Sequence, residues 1–387
     1  MGGMSDSLYA ARLAALREAN VFRAPKTVES RAGASITVQG KTYVDMSSND
    51  YLGLTEHPAL IAAAKDALDR WGTGAGAARL LTGTTALHSE LEQTVAAFKG
   101  TESAIVCNSG YQANSAVFSA LFGKGDVLFV DKLAHASIID GVRLCGAKVY
   151  RFKHNDMQHL SDLLVAHRGE GELACVVTET VFSMDGDICP LAELVSLKER
   201  HDAYLFVDEA HATGVYGARG AGMCEELGLS DRVDIMMGTF SKALGSFGAY
   251  IASRRVIIEM LENTMRGYIF STALPPAVIA ASRAAIEVVK NEPERRLVVR
   301  ERSARFRALM RERGLDVAGE TQIVPWMIGD EGKALATAQH LRDAGFWSAA
   351  IRAPTVPKGA ARIRCAVTYH TTDEEIERFV DVAERFC

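Results

Sequence analysis

The stretch GTFSKALGSFGAY, residues 238–250, sets a single lysine among small residues and directly follows the apolar run of residues 233–237. Gly238, Ala243 and Gly245 leave little side-chain bulk beside Lys242, whereas most lysines of globular proteins lie in solvent. A short apolar run bounded by glycines is typical of a buried strand. We therefore expect Lys242 just beyond a strand's carboxyl end, with room cleared there for a flat ring and an approaching substrate.

Strand and helix patterns alternate on both sides of this stretch. β-rich apolar runs predict strands at residues 104–107, 127–130, 148–152, 174–178, 204–207, 235–237 and 249–252. Between them, segments such as 160–167 and 191–200 repeat apolar residues at helical spacing. This alternation predicts an α/β fold with a mostly parallel sheet and helices on both faces. Such sheets bind ligands beyond the carboxyl ends of their strands.

The last hundred residues follow another pattern, which predicts a smaller α+β domain. A charged helical stretch at about 291–313 precedes a strand at 323–328, a helix at about 333–344 and a strand at 361–367. Thr372 and Glu375 have the T-x-x-E spacing of a capping box, which predicts the start of a final helix. We expect three parts: an N-terminal helix and arm (1–45), a large domain (46–285) and a small C-terminal domain (286–387).

Composition and charge argue against several classes of protein. The 387 residues carry a formal net charge of −5, which argues against a nucleic-acid or anionic-membrane partner. The chain has no apolar run of the ~18 residues that a transmembrane helix needs. Its seven cysteines are odd in number and lack CxxC spacing, which predicts free thiols in a reducing cytoplasm and no zinc site.

Polar clusters follow four of the predicted strands. They are NSGYQAN (108–114), DKLAHAS (131–137), TETVFSMDGD (178–187) and DEAHATG (208–214). Alone, each cluster also fits a simple strand-to-helix turn or a buried histidine bonded to a backbone carbonyl. Asp208 and His211 lack a third ligand nearby, so a metal site is weakly supported. The chain has no G-x-S-x-G elbow that would add a serine nucleophile to this pair.

Together with Lys242, the four clusters fit one cofactor. A desolvated lysine amine has a lowered pKa, and its neutral form makes Schiff bases with carbonyls. Pyridoxal 5′-phosphate (PLP) carries an aldehyde, a phosphate and a protonated ring nitrogen. We predict that Lys242 takes the aldehyde, that Asp208 pairs with the ring nitrogen, and that His211 bonds the phenolic oxygen. The other predicted contacts are Gly110, Tyr111 and Thr239 at the phosphate and His135 on the ring face.

A dinucleotide-like pattern occurs at GTGAGA, residues 72–77. A G-x-G-x-x-A fingerprint binds a dinucleotide when it follows a strand and opens a helix. Here it follows the helix-like segment 60–71 and precedes the loop-like segment 79–84. The context therefore argues against a nicotinamide cofactor.

Several blocks of the sequence resemble the α-oxoamine synthases, a family of fold-type I PLP enzymes. The blocks are SSNDYLGL (47–54), GTGAGAARLLTG (72–83), ALHSELE (86–92), NSGYQAN (108–114), HASIIDG (135–141), TETVFSMDGD (178–187), VDEAHATGVYG (207–217), GTFSKALG (238–245) and STALPP (271–276). The resemblance extends from about Arg23 to the C-terminus. It implies the aspartate aminotransferase-like fold and a homodimer with active sites at the subunit interface.

The resemblance also implies roles for individual residues. Lys242, His135, Asp208 and His211 would be catalytic. Further cofactor contacts would be Ser183, Ser241, Ser271 and Thr272, the last two reaching the partner's phosphate. Substrate contacts would be Arg23, Asn49, His135, Arg352 and Thr355. A bidentate guanidinium at Arg352 would anchor the amino-acid carboxylate, and Asn49 would bond the same group.

IRAPTVPKGAARIR, residues 351–364, indicates a branch of the family. With Thr355 and Ser241 it is similar to enzymes of biotin synthesis that condense L-alanine with a pimeloyl thioester, on CoA or acyl carrier protein, and release CO2. Ala353 departs from that pattern, where proline is usual. The alternatives are condensation of glycine with acetyl-CoA, another acyl-CoA, a plain aminotransferase or a non-catalytic homologous subunit. Lys242, Asp208 and His211 argue against the last.

Overall fold

The computed structural model describes residues 4–386, with side chains from residue 6 onward. The α-helices of these residues are α1 (Met4–Glu18), α2 (Pro58–Trp71), α3 (Ala86–Lys99), α4 (Gly110–Leu121), α5 (Ala136–Leu144), α6 (Met157–His167), α7 (Leu191–Arg200), α8 (Met223–Glu226), α9 (Arg255–Thr264), α10 (Arg266–Ile269), α11 (Pro276–Asn291), α12 (Glu294–Glu312), α13 (Glu331–Asp343) and α14 (Asp373–Glu384). The strands are β1 (Ser30–Ala32), β2 (Ser35–Val38), β3 (Lys41–Asp45), β4 (Ser103–Cys107), β5 (Val127–Asp131), β6 (Lys148–Phe152), β7 (Ala174–Glu179), β8 (Tyr204–Asp208), β9 (Ile235–Thr239), β10 (Ala249–Ser253), β11 (Ile323–Gly329), β12 (Phe346–Trp347), β13 (Ala349–Ile351) and β14 (Ala361–Ala366).

The chain divides into two compact units, which are described separately. The larger unit comprises Asn49–Ser183 and Asp187–Arg300. The smaller unit comprises the chain up to Ser48, the short segment Met184–Gly186 and the chain from Glu301 onward.

A seven-stranded sheet with the order β4-β10-β9-β8-β7-β5-β6 forms the centre of the larger unit. The neighbours from β9 to β6 are parallel, whereas β10 runs antiparallel to both β9 and β4. The sheet contains every strand predicted for this region, and the mostly parallel arrangement is confirmed. β10 is the antiparallel member because the connection 240–248 is too short for a parallel crossover.

Both faces of this sheet are buried, as parallel sheets require. Along β5, Leu128 and Val130 point to one apolar cluster, whereas Val127 and Phe129 point to another. The first cluster includes residues of α4, α5 and α9, and the second includes residues of α6 and α7. This alternation explains why the strand sequence is apolar without interruption.

The smaller unit holds two sheets around its own apolar core. β11, β14 and β13 form an antiparallel sheet, and β1, β2, β3 and β12 form the other, in which β12 pairs parallel with β3. Phe306, Trp326, Phe346 and Phe379 are buried in this core. The predicted capping box is present: Thr372 and Glu375 cap the first turn of α14 reciprocally.

The unit boundaries differ from the predicted domain boundaries. The predicted division at 285/286 falls inside α11, which packs on α2 and α3 within the larger unit, so that unit continues to Arg300. The N-terminal arm belongs with the C-terminal region because β3 pairs with β12, about three hundred residues later in the chain. A pairing over that separation leaves no local sequence signal.

Two further features of the described residues bear on the predictions. Six cysteines, all except Cys387, are buried free thiols, as expected, and Cys387 lies outside the described residues. In the described part of the chain, the helices are too short or too polar to cross a membrane.

Candidate active site

A cavity of about 230 Å³ opens beyond the carboxyl ends of the central strands of the larger unit. The predicted residues that line it are Gly110, Tyr111, His135, Asp208, His211, Thr239, Ser241 and Lys242. They come from four segments that follow strands or open helices. The structure thus brings together the groups that the sequence placed at strand ends, because parallel strands end at a common edge.

Lys242 is half-buried at this cavity, but the small residues around it mostly make room for protein. A Cβ added at Gly238 would lie 2.3 Å from the hydroxyl of Tyr250. At Gly245, where φ is +58°, it would lie 2.5 Å from the backbone of Leu54. The expectation that these glycines clear space for a flat ring is therefore wrong at both positions. They permit close packing behind Lys242.

The amino end of α4 forms one wall of the cavity. Ser109 caps the helix, and Gly110 is its first residue. A Cβ at Gly110 would lie 2.7 Å from Cγ2 of Thr239, so only glycine permits this approach. Oγ1 of Thr239 is buried and has no hydrogen-bond partner among the described residues. A helix N-terminus beside an unsatisfied hydroxyl is a suitable site for a phosphate.

Tyr111 follows on α4 and is about half exposed. Its hydroxyl donates a hydrogen bond to the carboxylate of Asp140. This bond raises the pKa of Tyr111, so the phenol stays neutral. The hydrogen bond to Asp140 therefore holds the Tyr111 side chain in place at the cavity.

Asp208, the last residue of β8, is 5% exposed and is held by two donors. Oδ1 accepts the backbone N–H of Ala210 at 2.8 Å, and Oδ2 accepts Nδ2 of Asn114 at 2.8 Å. Hydrogen bonds of this kind favour the charged form of a buried carboxyl group. Asp208 thus presents a carboxyl group held by two donors to the cavity that Lys242 also lines.

His135 caps the amino end of α5 with its ring. Nδ1 accepts the backbone N–H of Ser137 at 3.2 Å and lies 2.7 Å from the hydroxyl of the same serine. Burial lowers the pKa of His135; the charge of Asp208 opposes this effect and that of Lys242 adds to it. The imidazole is therefore neutral at physiological pH.

Glu179 is a buried carboxyl group that sequence reasoning did not select. It ends β7 directly beside Asp208, and Oε1 accepts the backbone N–H of His135 at 2.6 Å. Burial, followed by the charge of Asp208, raises the pKa of Glu179 well above its usual value. Glu179 therefore holds its proton more readily than an exposed glutamate does.

A hydrogen-bonded chain links His211 to Asn49 through Tyr51. The Tyr51 hydroxyl lies 2.7 Å from Nδ1 of His211 and donates to Oδ1 of Asn49 at 3.1 Å. Tyr51 is fully buried, which fixes the orientation of the His211 ring toward the cavity. Asn49, which is predicted to contact substrate, is therefore connected by hydrogen bonds to a histidine that lines the cavity.

Three predicted cofactor contacts do not line the cavity. Oγ of Ser271 accepts Nε2 of Gln112 at 2.8 Å, and the carbonyl of Thr272 accepts Nδ2 of Asn108 at 2.8 Å. Both lie against the α4 segment, away from Lys242. Ser183 follows β7 and is absent from the lining as well. These three assignments remain predictions.

The remaining predicted substrate contacts lie together in the smaller unit. Arg23 donates to Oγ1 of Thr355 at 3.0 Å, and Arg352 donates to the carbonyls of Asn20 and Phe22 at 2.6 and 3.1 Å. Burial and then the nearby Arg23 lower the pKa of Arg352. Within the described residues, neither guanidinium has a carboxylate partner, which suits a site for an anionic group.

Sequence reasoning assigned no role to Asn114, Ser137, Glu179 or Tyr51, although all four lie in segments that it singled out. Asn114 follows Gly110 by one helical turn, so both share a face of α4. Ser137 stands two residues after His135, the usual position for a donor to a capping side chain. These two spacings are the sequence signals from which Asn114 and Ser137 could have been assigned to the site.

The cavity residues fit PLP. Thr239 and the α4 terminus offer a phosphate two kinds of donor, and Asp208 offers the ring nitrogen a carboxylate. Lys242 supplies an amine at the same cavity. Among the described residues, histidine, cysteine, aspartate and glutamate side chains do not cluster in a way that would hold a metal.

Comparisons with known proteins agree with this geometry. The family model for aminotransferase class I and II matches residues 41–382. An 8-amino-7-oxononanoate synthase from Geobacter sulfurreducens is 47% identical over 381 residues, 97% of both chains. A serine palmitoyltransferase structure from S. paucimobilis, with PLP and myriocin bound, superposes with a TM-score of 0.93 at 32% identity, covering 100% of this chain and 98% of that one. An 8-amino-7-oxononanoate synthase structure from Francisella tularensis gives 0.77 at 28% identity, covering 89% and 97%.

Proposed function

The chain belongs to the aminotransferase class I and II family of PLP-dependent enzymes, and on this premise we propose that it is an acyltransferase of biotin biosynthesis. The reaction joins L-alanine to a pimeloyl thioester, carried by CoA or acyl carrier protein. Its products are 8-amino-7-oxononanoate, CO2 and the free thiol of the carrier. The 8-amino-7-oxononanoate synthases among the curated relatives support this choice within the family.

One observation carries the proposal: the carboxyl group of Asp208, the imidazole of His135 and the amine of Lys242 line the same cavity. A non-catalytic homologue would have no need for a lysine at this position. When bound, PLP supplies a carbonyl for an amine and a ring that takes up negative charge from Cα. The side chains of the cavity have to stabilise the charge that develops on the cofactor and to donate or accept the protons that the reaction transfers.

With PLP bound, Lys242 would attach the cofactor through its side-chain amine and would act as general base at Cα of alanine. Asp208, which accepts hydrogen bonds from Asn114 and Ala210, would pair with the ring nitrogen. His135 would donate a hydrogen bond toward the thioester oxygen as negative charge develops there.

Arg352 anchors the alanine carboxylate in this proposal. Its guanidinium and that of Arg23 have only carbonyl and hydroxyl acceptors among the described residues, so an anionic substrate group would complete their hydrogen bonding. A planar guanidinium fixes a carboxylate in two directions at once. Asn49 would bond the same carboxylate.

The enzyme is proposed to act as a homodimer in the cytoplasm. Leu81 and Phe270 are 78% and 71% exposed, and they belong to segments that the bridge between Ala78 and Thr272 joins. Large apolar side chains exposed together are typical of protein interfaces. Ser271 and Thr272 adjoin Phe270 and would reach the partner's phosphate. The buried free thiols suit a reducing compartment.

The similarity to serine palmitoyltransferase gives a second candidate, condensation of L-serine with palmitoyl-CoA. It rests on a TM-score of 0.93, compared with 0.77 for the synthase structure. The sequence identity of 47% to the synthase, against 32% to the palmitoyltransferase structure, favours the first candidate.

Thiol release by the PLP-loaded protein tests the proposal. The substrate pairs are L-alanine with pimeloyl-CoA, glycine with acetyl-CoA, and L-serine with palmitoyl-CoA. We expect release with the first pair only, with 8-amino-7-oxononanoate identified by mass. Release with another pair alone would transfer the assignment to that reaction. If pimeloyl-CoA gives no thiol release, pimeloyl-acyl carrier protein is tested next. Absence of thiol release with both acyl donors contradicts the proposal.

A further inference from the structure

Three hydrogen bonds connect the carboxylate of Asp208 to the ring of His135. Nδ2 of Asn114 lies 2.8 Å from Oδ2 of Asp208 and 3.0 Å from Oγ of Ser137. Oγ of Ser137 lies 2.7 Å from Nδ1 of His135. Asn114 and Ser137 are 1% and 0% exposed, so water cannot replace either partner.

The hydrogen bonds of this chain run in one direction. The amide of Asn114 turns its NH2 group toward Oδ2 of Asp208, and its second amide hydrogen goes to Oγ of Ser137. The backbone N–H of Ser137 donates to Nδ1 of His135, so this nitrogen is an acceptor. The hydroxyl of Ser137 therefore donates its hydrogen to the same nitrogen.

This arrangement has a cost that the fold alone does not explain. Oδ1 of Asn114 is buried without a hydrogen-bond partner among the described residues. An unsatisfied buried acceptor is unfavourable, and such groups are uncommon in native proteins. Turning the amide over would instead set its oxygen against Oδ2 of Asp208 and remove the donor to that carboxyl group. The orientation is therefore retained for the donors that it presents.

We propose that Asn114 and Ser137 are positioning residues that hold His135 as the neutral tautomer with its proton on Nε2. With Nδ1 occupied as an acceptor, Nε2 is the nitrogen that carries hydrogen. The cavity-lining ring therefore presents a donor toward the bound substrate. Glu179 fixes the backbone of the same histidine through Oε1 and sets the position of the ring.

The same chain transmits the charge of Asp208 to His135. The titratable groups that line the cavity with this ring are Tyr111, Glu179, Asp208, His211 and Lys242. Burial and Lys242 favour neutral His135, and Asp208 alone among the named causes opposes them. Loss of the Ser137 hydroxyl leaves Nδ1 with the backbone N–H of residue 137 as its remaining donor, so a proton competes for this nitrogen more easily. We expect the Ser137→Ala variant to protonate His135 at higher pH than the parent protein.

Nitrogen-15 NMR of the histidine-labelled holoenzyme, with PLP bound and no substrate, tests the tautomer directly. His135→Gln identifies the signal. We expect Nε2–H with unprotonated Nδ1 from pH 6.5 to 8.5. Ser137→Ala should give mixed tautomers or an imidazolium, and Ser137→Thr, which keeps the hydroxyl, should restore the parent spectrum. Ser119→Ala, on the exposed face of α4, is the control and should leave the spectrum unchanged.

Nδ1–H or a stable imidazolium in the parent protein at pH 7.5 would overturn the inference, whether or not the variants fold. An unchanged His135 signal in Ser137→Ala would overturn it as well. The kinetic consequence rests on the proposed function: kcat of Ser137→Ala should fall about 10- to 100-fold with little change in KM for alanine. The NMR readout needs no substrate. A protein that shows the tautomer but no thiol release would contradict the proposed function and leave this inference intact.

Discussion

At the scale of single residues, the amine of Lys242 is the group on which the proposed reaction depends. It lines the cavity that also holds Asp208 and His135, and the side chains behind it pack tightly. The close packing behind Lys242 is made by Gly238 against Tyr250 and by Gly245 against Leu54. Replacement of the lysine alone leaves these contacts in place and should not disturb the fold. Function and packing are therefore separable at this position.

Lys242→Ala should abolish condensation while the protein stays folded. Without the amine, the chain can neither attach the cofactor covalently nor remove the Cα proton, and loss of a catalytic base typically costs about 10²- to 10⁴-fold in rate. The absorbance of lysine-bound PLP should disappear, as measured by visible spectroscopy, and thiol release should stop. Lys124→Ala, at an exposed position, is the matched control. Normal product formation by Lys242→Ala would remove the lysine from this role.

His154 gives a prediction about pH. Its ring nitrogens lie 3.0 Å from Asp131 and 2.7 Å from Asp187. Burial alone would lower the pKa of His154, but the hydrogen bonds to the two aspartates outweigh it and raise the pKa to about 10. Because the folded pKa exceeds the usual 6.5, the stabilisation is complete below about pH 6.5 and is lost as the pH rises through 10.

His154→Gln should therefore destabilise the protein at neutral pH by about 1.5–3 kcal/mol, the value of a hydrogen bond to a charged group. Urea denaturation of both proteins from pH 6 to 10.5 measures this difference. We expect the difference to narrow as the pH approaches 10, where the parent imidazolium loses its proton. If the difference in the free energy of unfolding stays constant from pH 6 to 10.5, the charge on His154 does not contribute to stability.

At the scale of elements, the short connection 240–248 decides which strands adjoin at the site. It forces β10 to run antiparallel to β9, whereas the remaining central connections cross over in parallel. The carboxyl ends of β5, β7, β8 and β9 then meet at one edge. Glu179 and Asp208 are the last residues of β7 and β8, and the residues that follow β5 and β9 supply His135 and Lys242.

A buried ion pair ties α3 to the segment after β8. Lys99, the last residue of α3, donates to the carboxylate of Glu209 and to the carbonyl of Ala221, and both charged side chains are almost fully buried. Burial alone would lower the pKa of Lys99, but the charge of Glu209 outweighs it and raises the pKa. Glu209 stands next to Asp208, so the pair anchors the loop that carries the cavity carboxylate.

Lys99→Met should lower the free energy of unfolding by about 3–5 kcal/mol, because it leaves Glu209 buried and uncompensated. The double variant Lys99→Met/Glu209→Gln removes both charges and should recover part of that loss. Denaturation midpoints of the three proteins measure the effect, with the exposed Lys290→Met as control. A single variant as stable as the parent would show that the pair does not hold this loop.

At the scale of the whole molecule, the proposal of a dimer rests on apolar side chains that this chain leaves exposed. Leu81 and Phe270 belong to segments joined by the bridge between Ala78 and Thr272. Sedimentation should give twice the chain mass of 41.8 kDa. Phe270→Glu should shift the protein toward the monomer and weaken PLP binding, since Ser271 and Thr272 would reach the partner's site.

Val165→Glu is a suitable control for the dimer experiment. Val165 is 74% exposed on α6, so a charge there is solvated, and the assembly should be unaffected. A parent protein that sediments as a monomer while it retains full activity would contradict the interface proposal. The active-site assignments of the larger unit would stand in that case, since they rest on contacts within one chain.

The local pattern of the sequence sufficed for the elements and for the residues with distinctive chemistry. Apolar runs between glycines predicted the strands of the large sheet, and the order of His135, Asp208 and Lys242 after strands predicted the cavity. These features are local because strand and helix periodicity arises within a few residues. The capping box at Thr372 was predicted for the same reason.

Only the tertiary structure decided the contacts that set protonation in the site. Asn114 reaches Asp208 across 94 residues, and Glu179 reaches His135 across 44, because the strand order brings their segments to one edge. It also assigned Gly238 and Gly245 to packing, where the sequence indicated space for a ligand. A sequence shows which side chains are small or titratable. Which neighbours share their space, and therefore which proton stays on which atom, depends on contacts that form only when distant strands pair.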